Sequence, residues 1–223
     1  MSPEFINNKI RNCTPYYSDA VAAGIYRNGI LLPDGALKNI KHHNPTTQNI
    51  YLHNTNWQDY QGDEMITVGN FDFSIKLPSV PAGTYEINIG FNEYASHPLV
   101  AAYLDDVFCD TIDTGKSTTS GSQYWVSDEK LGTPEAIAQN DSLLFANGYR
   151  KGLPHYYAGT SGIGDKVTMR DGNVTLRAIV GTLTTDGKSD HYIRFRSLNA
   201  YPNRELNIDY IELCPTHLLK EYK

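Results

Sequence analysis

Long hydrophobic runs are missing from this 223-residue chain. The longest, such as Ala20–Tyr26 and Leu99–Leu104, fall far short of the roughly 18 apolar residues a spanning helix needs, so no membrane span is expected. Basic charge is scarce as well. Lys and Arg total 19 against 25 Asp and Glu, a formal net charge of −6. No basic block is present to neutralise a phosphate backbone, which excludes nucleic acid as the expected partner. Cysteine is rare: Cys13, Cys109 and Cys214 are an odd set with no CxxC and no Cys-His cluster. Zinc ligation is excluded on that spacing, and the thiols read as small buried hydrophobes or one optional disulfide. Also missing are a GxSxG elbow, a P-loop, a dinucleotide fingerprint and an EF-hand loop, so no familiar route to nucleophilic, nucleotide or calcium chemistry is spelled out. The Gly-rich Ser161–Lys166 reads as a flexible turn, and the adjacent His42 and His43 would face opposite sides of a strand.

What is present is tyrosine, with 16 Tyr against 7 Phe and 2 Trp. Such an excess suits a protein that shows amphipathic rings to water or ligand. A 40% hydrophobic, 20% charged composition excludes disorder. A chain of this length can bury roughly 70% of its unfolded surface without a disulfide or metal staple.

Apolar and polar residues alternate along the informative segments. Phe71, Phe73, Ile75 and Leu77 share one face, with Asp72, Ser74 and Lys76 on the other; Tyr85, Ile87, Ile89 and Phe91 repeat the pattern. The Pro78–Gly83 stretch between them is a connection, because its two prolines cannot donate to a ladder. Val100–Phe108 reads as a third strand with a turn signal at Asp105-Asp106. Val174–Leu183 and Tyr192–Leu198 flank an Asp186-Gly187 hairpin signal, and Leu206–Leu213 closes the set with Leu206, Ile208 and Tyr210 on one face. These strands predict an all-β sandwich with one long excursion over 111–172. Within it, Thr133-Pro134-Glu135 and Asn147-Gly148 predict a short helix over Pro134–Phe145. Residues 1–5 read as a cloning-site remnant on an excised piece, 6–61 as a linker plus first strands, 62–215 as the sandwich, and 216–223 as a tail.

Three stretches carry a resemblance. They are Gly62-Asp63-Glu64 through Leu77-Pro78-Ser79-Val80-Pro81-Ala82-Gly83-Thr84-Tyr85-Glu86, Asn147-Gly148-Tyr149-Arg150-Lys151-Gly152, and Arg194-Phe195-Arg196 through Leu206-Asn207-Ile208-Asp209-Tyr210-Ile211-Glu212-Leu213-Cys214-Pro215. Together they resemble the β-sandwich region that follows fasciclin-like domains in Bacteroidetes surface lipoproteins. More widely, the strands around Tyr85, Tyr103 and Tyr210 are similar to galactose-binding-like jelly rolls, among them carbohydrate-binding modules of families six and thirty-five and malectin domains. The resemblance implies a jelly-roll fold of that type and a place on the cell surface or outer membrane, anchored by a part outside this chain. It implies a sugar contact from Asn207 and allows a structural calcium at Asp209, with no other cofactor.

Independent of the resemblance, the excursion holds the best binding signal. Tyr124, Trp125, Tyr149, Tyr156 and Tyr157 lie off the strand alternation, and exposed rings stack on the apolar faces of sugars. The competing reading is that these rings pin the excursion to the sandwich. Trp57 and Tyr60 form a second such pair. Asp105, Asp106, Asp110, Asp113, Asp186 and Asp190 could seat calcium but are placed as Asx-turn residues commonly are. The expected function is a non-catalytic glycan-binding or adhesion module, with polysaccharide and other cell-envelope proteins as partners. A structural or protein-contact domain, docking for example onto an outer-membrane transport complex, is the second reading. A carboxylate-dependent glycoside hydrolase ranks below both.

Overall fold

In the sequence, apolar and polar residues alternate with the two-residue period of a pleated strand, and the structure turns that alternation into two facing sheets. The computed structural model describes residues 30–32, 39–53, 63–91, 97–115, 121–152, 176–198 and 205–219. Twelve strands are found among them: β1 (Ile30–Leu32), β2 (Ile40–His42), β3 (Gln48–His53), β4 (Asp63–Val68), β5 (Asp72–Lys76), β6 (Gly83–Phe91), β7 (Leu99–Leu104), β8 (Val107–Asp113), β9 (Tyr149–Arg150), β10 (Leu176–Thr185), β11 (Tyr192–Ser197) and β12 (Glu205–Pro215). One sheet runs β1-β3-β4-β12-β6-β10-β9, the other β2-β5-β11-β7-β8. Every pairing is antiparallel. From β4 to β7, and again from β10 to β12, successive strands cross from one sheet to the other. The all-β sandwich expected from the alternation is what forms, with the jelly-roll character that the resemblance implied.

The core lies between the sheets. Phe73, Ile75, Ile193 and Phe195 from the five-stranded sheet meet Ile87, Ile89, Ile208 and Ile211 from the seven-stranded one, all essentially without solvent exposure. Each such side chain contributes on the order of 1.5–3 kcal/mol by leaving water.

Two strand expectations change. Val100–Phe108 is not one strand but the two arms of a hairpin, β7 and β8. Asp105 and Asp106 form its turn with φ of +49° and +63°, the left-handed pair that a two-residue hairpin requires. The second change is in β12. A register shift between Ile208 and Tyr210 carries Tyr210 off the core face, leaving Leu206, Ile208, Ile211 and Leu213 in the core row. Tyr210 instead pairs with Gly90 on the outer face of the seven-stranded sheet, yet remains buried. Its ring occupies the room that a side chain at position 90 would need: a Cβ there would sit 2.3 Å from the ring.

The described part of the excursion, 121–152, follows local rules. Helix α1 (Asp128–Leu131) is capped by Ser127, whose hydroxyl accepts from the Lys130 N–H. Helix α2 (Pro134–Ala146) starts at the predicted residue, with Thr133 accepting from the Ala136 N–H and Pro134 in the first turn. It ends at Asn147, and Gly148 takes φ +81° to turn the chain into β9. Leu144 and Tyr149 enter the core, and the Tyr149 hydroxyl donates to the Asp113 carbonyl at 3.0 Å. For Tyr149, the pinning role is therefore the one the structure bears out. Among the described residues no helix is long and apolar enough to cross a membrane.

Gly90→Ala is expected to force the Tyr210 ring aside and to cost about 1–3 kcal/mol of stability. Urea unfolding checks this, and an unchanged midpoint would show that the ring-over-glycine contact does not matter.

Candidate functional site

The polar rows of three neighbouring strands converge on the outer face of the five-stranded sheet. Register sets Lys41 of β2 opposite Ser74 of β5, and Ser74 opposite Arg194 of β11. Lys76 of β5 lies opposite Tyr192 of β11. Side chains so paired are about 4.5–5.5 Å apart at Cβ. With the Asp105–Asp106 turn and Asp190 at one end, they enclose an open cavity of about 480 Å³, within the ~300–1,000 Å³ span of small-ligand sites.

Most of its charges are held in place. Arg194 grips Asp72 through two hydrogen bonds of 2.8 Å and reaches Asp106 at 3.2 Å. That grip, first of all the hydrogen bonding to Asp72, drives the guanidinium pKa up. Lys76 Nζ lies 2.6 Å from Asp190, and the hydrogen bond raises its pKa. Asp105 accepts from the Tyr192 N–H at 2.8 Å and meets His191 at 2.7 Å, tying the hairpin turn to β11. The Ser74 hydroxyl is 2.6 Å from His43 Nε2. Tyr192 stands 42% exposed at the rim. Beside it, Arg194 and Arg196 lie over the Tyr103 ring at 5.4 and 5.8 Å. The result is a preorganised field of donors and acceptors beside an exposed ring.

A second polar set occupies the outer face of the seven-stranded sheet, where the side chains are buried. Arg150 makes a two-pronged contact with Glu86, at 2.7 and 2.9 Å. Arg177 donates to Glu212 at 2.6 Å and to the Lys151 carbonyl at 2.8 Å. Asn88 Nδ2 bridges the two carboxylates at 3.1 and 3.2 Å. Two glutamates and two arginines thus balance in charge. Burial raises the Glu86 pKa, but hydrogen bonding and charge from Arg150, with help from Asn88 and Arg177, outweigh it and leave the group below its ordinary value. A glycosidase general acid needs the opposite shift. Among the described residues no cluster of three or more His, Cys, Asp or Glu side chains could hold a metal ion.

The aromatic residues and Asn207 singled out from sequence fall elsewhere. Tyr124 and Trp125 are half-buried and packed against the hydrophobic core. Asn140 holds them there: its amide donates to the Tyr124 carbonyl at 2.7 Å and accepts from the Val126 N–H at 3.3 Å. Asn207 sits on the outer face of the seven-stranded sheet opposite Ile66. It is 1% exposed, and neither amide atom has a hydrogen-bond partner among the described residues. Trp57, Tyr60, Tyr156, Tyr157 and the Asp209 side chain lie outside the described residues. Neither the described aromatic candidates nor Asn207 lines the cavity, whereas Asp105, Asp106 and Asp190, the carboxylates considered for calcium, do. Asp186 accepts from the Lys188 and Ser189 N–H groups at 2.8 Å each, the Asx-turn arrangement rather than a cation seat. Cys109 and Cys214 are free thiols, and burial pushes Cys214 up to about 11, which makes it unreactive. Of the other cavity residues, Ser74 and Lys76 were legible only as polar members of an alternating strand and Arg194 as part of a strand-like run, and Lys41 was not singled out.

No protein-family model and no curated protein matches the sequence. Among solved structures, the fold is similar to part of a Paenibacillus xanthan lyase, with a TM-score of 0.47 and 7% identity over 79% of this chain and 12% of that one. This chain therefore spans about an eighth of that protein's length, judged from the 12% coverage.

Replacing Glu86 by Gln is expected to leave Arg150 buried without its counter-charge and to cost about 3–5 kcal/mol at neutral pH. Because the folded pKa of Glu86 lies below its ordinary 4.5, the ion pair's contribution is complete above that value. It is lost as pH falls through the depressed folded pKa. Urea midpoints measured across acid pH should fall more steeply for the wild type than for Glu86→Gln, and parallel curves would contradict the assignment.

Proposed function

We propose that this chain is a non-catalytic glycan-binding module of a cell-surface protein, and that it binds sugar in the cavity on the five-stranded sheet. One observation carries the reading: a 480 Å³ cavity lined almost wholly by hydrogen-bonding side chains, with an exposed tyrosine at its rim. Sugars present that combination in reverse, with a ring of hydroxyls around apolar C–H faces. Donors fixed by ion pairs, such as Arg194 and Lys76, lose little freedom when they bind a hydroxyl, so affinity is not spent on ordering them. Placement on a surface lipoprotein beside a fasciclin-like domain rests on the sequence resemblance, as does the galactose-binding-like ancestry of the sandwich.

The protein-contact reading has its own observation. Val107 and Phe108, at the start of β8, are 68% and 56% exposed, more apolar surface than an isolated hairpin tip needs. In this reading they meet another cell-envelope protein and leave the cavity free.

Affinity electrophoresis against a panel of soluble polysaccharides separates the two. Tyr192→Ala should weaken retention about tenfold, the size of one ring–sugar contact, and leave the melting temperature unchanged. Trp125→Ala, by contrast, should lower the melting temperature, because that ring packs on the core. Retention that survives Tyr192→Ala would move the sugar site away from this face, and no retention by any polysaccharide would favour the protein-contact reading.

A further inference from the structure

On the reading of the cavity as a sugar site, the binding face does not end at the cavity wall. Arg194 lines the cavity and also lies over the Tyr103 ring, 5.4 Å from its centroid. Register places Tyr103 of β7 directly opposite Arg194 of β11, and Phe108 of β8 directly opposite Tyr103. All three therefore stand on the outer face of the five-stranded sheet, which also carries Tyr192. Neither Tyr103 nor Phe108 belongs to the cavity lining. Phe108 is 56% exposed and meets Tyr103 edge to face, with centroids 5.6 Å apart and planes at 73°. Tyr103 is half-buried, with Arg194 and Arg196 over its ring. It buttresses Phe108 and leaves that ring open to solvent.

One face thus carries two exposed rings, Tyr192 and Phe108, joined by the Arg194–Asp106 pair. Phe108 lies two strands over from Tyr192 and two residues along. At ~4.8 Å per strand and ~3.3 Å per residue, their backbone positions are about 12 Å apart. A single pyranose ring cannot touch both, whereas alternate rings of an extended sugar chain can. The cavity's charges narrow the chain further, because they cancel. Lys41, Lys76 and Arg194 stand against Asp105, Asp106 and Asp190, and Asp72 also holds Arg194. An anionic sugar would find no positive charge left over, and the whole chain, at −6, repels it from a distance. Uncharged hydroxyls donate and accept at once, which suits a lining of paired donors and acceptors. We infer that the site takes several consecutive residues of a neutral, linear polysaccharide, with one sugar ring on Tyr192 and another, two residues along, on Phe108.

Calorimetric titration with xylo-, manno-, cello- and laminari-oligosaccharides, from monosaccharide to hexasaccharide, reads the dependence on chain length. At least one series should bind, with affinity rising about tenfold between disaccharide and tetrasaccharide, the size of one ring–sugar contact. Phe108→Ala should abolish that rise, so that the tetrasaccharide binds like the disaccharide, and leave disaccharide affinity and melting temperature at wild-type values. Phe108→Tyr should keep the rise, and Phe108→Leu, apolar but without a ring, should lose it. Leu143→Ala, at another exposed apolar position on α2, should behave as wild type. Affinity should change little with added salt, and polygalacturonate should retain the chain no better than its carboxyl-reduced form in affinity electrophoresis. Three results would overturn the inference while leaving glycan binding standing: affinity that is flat with chain length, a Phe108→Ala variant that keeps the rise, or retention confined to polygalacturonate and lost with salt. Binding to none of these sugars would overturn it together with the glycan reading.

Discussion

A slip of one residue between β5 and β11 would turn this protein inside out. Their pairing sets Phe73 against Phe195 and Ile75 against Ile193 on the core side. On the other side it sets Ser74 against Arg194 and Lys76 against Tyr192. Because side chains alternate strictly, the two rows cannot be chosen separately. The hydrophobic row, worth several kcal/mol on burial, selects the register. That register then aligns the polar row into a cavity. The Arg194–Asp72 pair on the polar side adds a directional lock to the same register, since its two hydrogen bonds form at one offset only. Core and candidate site are two faces of one pairing.

The other sheet uses the same rule to different effect. In β6, Tyr85, Ile87, Ile89 and Phe91 face the core while Glu86 and Asn88 face away. Away from the core does not mean exposed here, since Glu86, Asn88, Arg177 and Glu212 are all buried. Buried charge is tolerable only when it is paired and hydrogen-bonded, and the Arg150–Glu86 and Arg177–Glu212 contacts meet that condition. What differs between the two outer faces is availability. One holds its charges against each other in the interior, while the other opens its ion pairs into a cavity.

The fold was largely legible in the sequence because the alternation is strong and the punctuation is clear. The Thr133 cap and Pro134 marked the start of α2 correctly, and Phe71–Leu77 and Thr84–Phe91 gave their core rows residue by residue. What failed were features that break the period. The β12 irregularity that turns Tyr210 outward leaves no mark in the composition, and the room its ring takes up is at Gly90 on another strand. Asp105-Asp106 was visible as a turn signal, but not as the hinge between two strands. The site was harder to see. Aromatic residues off the alternation drew attention to Tyr124 and Trp125, yet a ring in a polar segment can be an anchor as easily as a ligand platform. The cavity instead assembles from residues 41, 74, 76, 192 and 194, which are ordinary members of separate strands. Only the strand order brings them together, and strand order is a non-local property.

If ligand recognition belongs to the polar row of β2, β5 and β11, its signature should appear residue by residue. The most direct measurement is amide and side-chain chemical-shift mapping of the folded chain, titrated with an oligosaccharide from a polymer that retains it. The account predicts shifts concentrated on Lys41, Ser74, Lys76, Tyr192 and Arg194, with Tyr124, Trp125 and Asn207 unmoved. Shifts gathered instead at Trp125 or Asn207, with the five-stranded sheet silent, would contradict it.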